Sequence, residues 1–294
     1  MSARPSVGLV VNPSSGRGKG RRLGETVAAR LRSLGCDVEA FESRSASHLS
    51  ELGAEAAARH AVVAALGGDG TVAFVAQGVI GTASALAIVP GGTGNDLAAN
   101  LGYRRRDAIA ACDVIAAGRV RRIDVGRIVG GRAFLCVAGG GFDSETNREA
   151  NRIKRLRGTA VYLVAVVRTL RRFAPAAFTV TLDGVPRSFN GFFVAVGNAA
   201  SYGGGMRITP AASLDDGVFD VCMVGEMSKA ALLGQLPRLF TGGHVRHPAV
   251  EIARARRVEI EADRTFSLYA DGEEIGPLPA TLEIEPSALA VVAP

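Results

Sequence analysis

Asp69 stands in the turn Gly67-Gly68-Asp69-Gly70-Thr71, directly after the apolar run AVVAAL at 61–66. A bend needs one glycine; more of them suggest that something must approach the backbone closely. Phosphate, with Asp69 aimed at its metal, is the chemistry that would use both features. Two further turns share this character. NPSSG (12–16) follows the apolar run SVGLVV (6–11), and PGGTGND (90–96) follows LAIV (86–89). Backbone N–H groups and helix N-termini gathered at one crevice make an anion site. Each turn alone also has a plainer reading, since Gly makes tight strand–helix connections and Asp or Asn caps the next helix. Three of them at one sheet edge weaken that reading.

Other residues could carry chemistry. Asp271 and Glu273 flank a glycine in ADGEE (270–274), where a carboxylate could act as a base. The same Asp-Gly pair is also a hairpin-turn signal. SLDDG (213–217) is a second acidic turn. His244 and His247 in TGGHVRHP lack a nearby acid pattern, which makes them a weak metal signal and a loop or helix end the simpler reading. Two nucleotide motifs do not fit. GxxxxGK[ST] fails around Lys19, where Gly20 follows the lysine and Pro13 takes the first glycine position; GxGxxG fails after the first strand and again at Gly92.

The elements that must position these residues follow from periodicity. In KGRRLGETVAARLRSLG (19–35), Leu23, Val27, Leu31 and Leu34 recur at helical spacing. Strand DVEAFES (37–43), helix SHLSELGAEAAARH (47–60), strand AVVAAL, a helix from about Thr71 and strand LAIV continue the alternation. Uniformly apolar strands predict a parallel sheet buried on both faces, with ligands beyond the carboxyl ends of its strands. From about Arg121 the rhythm becomes one of short strands and turns, interrupted by helical segments near 151–173 and 228–241. The expected fold is α/β plus β: an open parallel-sheet α/β nucleotide-binding domain over 1–125, then an antiparallel β-sandwich domain over 126–287. The closing ALAVVA makes 288–294 a candidate to return to the first domain.

Composition bounds the rest. The 294 residues include 34 basic and 28 acidic side chains, a net +6 that favours anionic partners without naming one. Cys36, Cys112, Cys136 and Cys222 form no CxxC pair and mostly sit in apolar runs, so free thiols in a reducing cytosol are expected. The start shows neither an apolar core nor a cleavage site, so no signal peptide is expected. GTAVYLVAVVRTL (158–170) is interrupted by Arg168 and falls short of the ~20 residues of a membrane span.

NPSSG, GGDGT and PGGTGND, in this order and spacing, resemble the diacylglycerol kinase catalytic family of lipid kinases, which includes sphingosine and ceramide kinases. The likeness continues through IDVG (123–126), VAGGGFD (137–143), the segment 196–221 containing GGGMRITPAASLDDG, and YADGEE (269–274), and so covers essentially the whole chain. GGDGT alone also occurs in NAD kinases and phosphofructokinases; the combination is far more specific. The resemblance implies ATP as phosphate donor. Asn12, Pro13, Ser14, Ser15 and Gly16 match the first phosphate loop, Ser43 a Ser/Thr position after the second strand, Gly68, Asp69, Gly70 and Thr71 the second loop, and Thr93 the third. It implies that Asp69 holds Mg2+–ATP and that Asp271 or Glu273 takes the proton from a lipid hydroxyl, most plausibly of diacylglycerol; sequence does not separate the two acids. It also implies a structural metal loop with Asp216, main-chain carbonyls of Ser213 and Val218, and Asp124 through water. One departure stands out: the family usually has Asn-Glu where this chain has Ala73-Phe74.

Segment 148–172 holds eight Arg or Lys and one Glu, more positive than the chain as a whole. A basic stretch around an apolar run reads as contact with an anionic membrane surface. The expectation is a cytoplasmic protein transiently at the inner membrane surface. Without Trp or a stacking module, nucleic acid is not an expected partner. An edge strand pairing two β domains leaves a homodimer open. Two alternatives are carried: an NAD kinase-like enzyme with a soluble acceptor, and a non-catalytic nucleotide or lipid sensor.

Overall fold

The computed structural model describes residues 5–153 and 159–294. The chain divides into two compact units. The first comprises residues 1–125, 214–216 and 285–294; the second comprises 126–213 and 217–284.

The first unit alternates strand and helix: β1 (Ser6–Val11), α1 (Ser15–Gly18), α2 (Gly20–Ser33), β2 (Asp37–Glu42), α3 (Ala46–Arg59), β3 (Val62–Gly67), α4 (Asp69–Val79), β4 (Ala85–Pro90), α5 (Asp96–Asn100) and α6 (Ala108–Ala117). β5 (Val120–Ile128) then leads into the second unit. The sheet is parallel, in the order β2-β1-β3-β4. Every residue of β3 and β4 is buried, which explains their unbroken apolar sequences. One face packs on α2 and α6 through Leu9, Leu66, Val27, Leu31 and Ile115. Helix ends are set by side chains. The Ser45 hydroxyl accepts the His48 amide, and the Asp107 carboxylate accepts the Ala110 amide. A strand from the end of the chain lies beside β4, Val291 opposite Leu86, and the Tyr103 hydroxyl donates to the Val292 carbonyl at 2.7 Å.

The second unit contains β6 (Ala133–Phe134), β7 (Val137–Gly141), α7 (Phe142–Arg152), α8 (Thr159–Arg172), β8 (Ala176–Leu182), β9 (Val185–Gly197), β10 (Phe219–Gly225), α9 (Lys229–Leu239), β11 (Val250–Ala255), β12 (Arg257–Ala262), β13 (Ser267–Ala270) and β14 (Glu273–Pro277). β15 (Ala280–Val292) leads back to the first unit. The pairings among β7 to β14 are antiparallel. The long β9 joins two sets of strands, meeting β8 along its first half and β7 and β10 along its second. The expected α/β plus antiparallel β architecture is the one observed. The expected helix at 151–173 corresponds to α8, while 142–152 forms a separate helix that its strongly polar sequence does not announce. Its start is fixed locally: the Ser144 hydroxyl donates to the Gly141 carbonyl and accepts the Gly141 amide. Lys154, Arg155 and Arg157 of the basic segment lie outside the described residues. Among the described residues, no helix is long and apolar enough to cross a membrane.

An aromatic stack fills the second unit's core. Phe178 lies 5.6 Å from both Phe189 and Phe266, and Phe266 continues to Phe173. Phe178→Ala should therefore cost about 3–5 kcal/mol, read as a lower urea midpoint at unchanged slope.

Candidate active site

The chemistry-bearing residues form one cluster in each unit. In the first, the turns after β1, β3 and β4 occur at the carboxyl ends of neighbouring strands. The first two turns are tied directly: Asn12 Nδ2 donates to Thr71 Oγ1 at 3.0 Å, and Asn12 Oδ1 accepts the Ser14 amide. Ser15 Oγ is buried and has no hydrogen-bond partner among the described residues. Pro13 is half-buried, Ser14 and Gly16 are exposed, and Ser43 follows β2 with its amide on the Val11 carbonyl. Thr93 is exposed at the tip of the third turn.

Asp69 is the centre of this cluster. It opens α4, two residues earlier than periodicity suggests. One carboxylate oxygen accepts the Asn95 amide at 2.8 Å; the other accepts the Asp96 amide. Asp69 thus caps the start of α5 from a different helix. Asn95, in left-handed conformation at φ 53°, closes the turn by accepting the Gly92 amide and donating to the Gly92 and Arg105 carbonyls. Arg105 pairs with buried Asp96 at 3.0 Å and donates to the Gly94 carbonyl. Burial, and next the neighbouring Asp96 carboxylate, push the Asp69 carboxyl above its ordinary value, against the pull of the two amides.

The glycines here serve close packing. A Cβ on Gly92 would lie 2.4 Å from Gly68 Cα, and one on Gly94 would lie 2.4 Å from Asp69 Oδ2. The turns after β3 and β4 touch backbone to backbone, and Gly94 leaves room for the carboxylate. Asn95 and Asp96 were visible in PGGTGND but carried no functional signal there, and Arg105 lies outside any motif. Their roles arise only from the fold. Ala73 is buried and Phe74 half-buried within α4.

In the second unit, Asp271 and Gly272 form the two-residue turn between β13 and β14, with φ of 50° and 86°. Those signs at both positions are what the favoured hairpin turn requires. The Asp271 carboxylate accepts the amides of Leu135 (2.7 Å), Cys136 (2.9 Å) and Val137 (3.2 Å), while its own amide donates to the Val137 carbonyl. Burial raises its proton affinity; the three amides and Arg132 oppose this. Glu273 is exposed at the first position of β14. The acidic turn at 213–218 is divided between the units: Asp216, with Asp124, belongs to the first, and Ser213 and Val218 to the second. Asp124 is buried and accepts the Ser287 amide at 2.7 Å. His244 is buried in a short 3-10 turn against the Ile208 carbonyl, and His247 accepts the Ala249 amide.

Residues 6–128 match the diacylglycerol kinase catalytic domain, and residues 136–293 match a domain described as the YegS C-terminal NAD kinase beta sandwich-like domain. A diacylglycerol kinase of Mycobacterium tuberculosis is 36% identical over 294 residues, covering 98% of this chain and 95% of the relative. The chain belongs to the diacylglycerol kinase family. A Bacillus subtilis family member is 29% identical over 279 residues, covering 92% of this chain and 90% of that one. A crystal structure of a diacylglycerol kinase from Bacillus anthracis shares the fold, with a TM-score of 0.78, 21% identity, and coverage of 100% and 98% of the two chains.

Gly94→Ala would drive a methyl into the Asp69 carboxylate. A loss of about 1–3 kcal/mol is expected, seen as a lower melting temperature. An unchanged melting temperature would mean that the Asp69 cradle is not tightly built.

Proposed function

We propose that this chain is an ATP-dependent lipid kinase that transfers the γ-phosphate to a diacylglycerol hydroxyl, giving phosphatidic acid. The observation that carries this reading is the Asp69 carboxylate, held by two amides among three glycine-rich turns, in a chain of this family. Each Asp69 oxygen spends one acceptor site on an amide and retains another. A fixed carboxylate of this kind suits Mg2+, a hard cation that takes oxygen ligands and substrate phosphates together. The Ser15 hydroxyl, without a hydrogen-bond partner among the described residues, and the adjacent turn amides suit the phosphates. The residues therefore fit Mg2+–ATP, with Asn12–Gly16, Ser43, Gly68–Thr71 and Thr93 around the nucleotide phosphates and Asp69 on the ion. When bound, the ion neutralises charge on the transferring phosphate. On the same reading Asp216 and Asp124, both in the first unit, are the carboxylates that would hold a structural cation.

Asp271 and Glu273 divide the remaining work. Asp271 spends three acceptor sites on backbone amides and anchors the hairpin, so it is the positioning residue. Glu273, exposed and two residues further on, takes the proton from the lipid hydroxyl. The NAD kinase-like description of the second domain keeps NAD as the control acceptor. A cytoplasmic protein that visits an anionic membrane surface fits a lipid acceptor; a homodimer is not needed for the chemistry.

Labelled phosphate transfer to diacylglycerol in mixed micelles tests these roles. Glu273→Gln should lower kcat by about 10²–10⁴-fold with the fold intact. Asp271→Asn should lower stability as well, by about 1–3 kcal/mol for each amide left unpaired. Full turnover in Glu273→Gln would remove it as the base.

The raised proton affinity of Asp69 has a definite sign. The folded chain holds this proton more tightly than the unfolded chain does. Its contribution to stability is full below the ordinary value of 3.8 and is lost as pH rises through the folded value. Mg2+–ATP requires the ionised form. Its affinity, measured by calorimetry, should fall on acidification at a pH above that ordinary value, and Asp69→Ala should abolish this pH-dependent step. The same acid limb in Asp69→Ala would place the titration elsewhere.

A further inference from the structure

The second unit has a pocket of about 680 Å³ lined by the last turns of α7 and α8 and by the loop at 264–266. It gathers Arg148, Arg152, Arg168, Arg171, Arg172 and Arg264, against Glu145 and Glu149. Glu145 pairs with Arg148, and Glu149 with Arg168 at 3.2 Å. Arg152, Arg171 and Arg172 have no carboxylate partner among the described residues. Phe173 and Phe266 are buried beneath, and the Arg264 guanidinium lies 4.9 Å from both ring centroids while donating to the Ala174 carbonyl. Stacking and that hydrogen bond fix the Arg264 fork. Guanidinium groups recognise phosphate through paired N–H donors, and an aromatic floor strengthens such contacts by excluding water.

We propose that this pocket binds the phosphate headgroup of an anionic phospholipid, with the doubly ionisable monoester of phosphatidic acid as its best match. Free phosphate would use the arginines alone. Here they adjoin exposed aliphatic side chains. Val167 precedes Arg171 by one turn of α8 and is 37% exposed; Leu233, 38% exposed, lies one turn beyond Lys229 on α9. The Lys229 ammonium donates to the Arg171 carbonyl and joins the two helix ends. Cations beside aliphatic groups are the pattern of an interfacial surface. The purpose of the site rests on the lipid-kinase reading, because an acceptor in a bilayer requires docking; the binding itself does not.

Flotation of the full chain with vesicles tests the proposal. Three compositions are used: phosphatidylcholine alone, phosphatidylcholine with phosphatidic acid, and phosphatidylcholine with phosphatidylglycerol at matched zeta potential. Phosphatidic acid vesicles should bind best. Arg171→Glu with Arg172→Glu should weaken that binding by at least about tenfold. Arg246→Glu with Arg256→Glu, the same charge change on exposed residues elsewhere in the second unit, should change it less than about threefold. Arg264→Lys keeps the charge but loses the fork, and should erase the preference for phosphatidic acid over phosphatidylglycerol. Thermal melts check that each variant is folded. Equal binding to both anionic vesicles by the unmodified chain would overturn the pocket, as would equal losses in the two double variants. Displacement by millimolar inorganic phosphate, but not by sulfate at equal ionic strength, would make it a soluble-phosphate site and overturn the lipid assignment. Selective vesicle binding without phosphate transfer to diacylglycerol would count against the kinase reading and leave this proposal standing.

Discussion

The first unit's glycine-rich cluster depends on one carboxylate holding two amides. Asp69, at the start of α4, caps the start of α5 through the Asn95 and Asp96 N–H groups. Two helices and the turns after β3 and β4 are thereby tied at one side chain. Removing it would leave those donors unpaired, a loss of about 0.5–2 kcal/mol for a cap of this kind. Around it, Arg105 neutralises Asp96 and Asn95 closes the turn, so the carboxylate sits in a prepared frame. Preparation of this kind would let the proposed metal–phosphate ligand bind without first ordering the loop.

The second unit uses the same device. Asp271 places its carboxylate on three successive amides, 135–137, from the tip of a hairpin. In both units an aspartate beside glycine crosses to another segment and fixes a turn that has little apolar burial of its own. The proposed division of work between Asp271 and Glu273 rests on this difference: Asp271 is held by three amides, whereas Glu273 is exposed.

Much of this was legible in the residues. The uniformly apolar runs at 6–11, 61–66 and 86–89 announced a sheet buried on both faces, and the change of rhythm near Arg121 announced the antiparallel part. The three glycine-rich turns lie, as expected, at the carboxyl ends of β1, β3 and β4. What they meant was only half legible. Glycine reads as room for a ligand, but Gly92 against Gly68 and Gly94 against Asp69 show room taken by the protein itself. Such contacts join turns far apart in sequence, and no local pattern encodes them. Arg105 was silent for the same reason, and α7 was missed because its start rests on a Gly141–Ser144 exchange rather than on an apolar stripe.

Amide exchange across residues 92–97 tests most directly whether Asp69 both builds this frame and receives the metal–nucleotide ligand. The account predicts slow exchange at Asn95 and Asp96 in the unmodified chain and slower exchange with Mg2+–ATP. In Asp69→Ala, exchange should be about 2–30-fold faster and respond less to Mg2+–ATP. Equal protection in the two proteins, or no response of the unmodified chain to Mg2+–ATP, would contradict it.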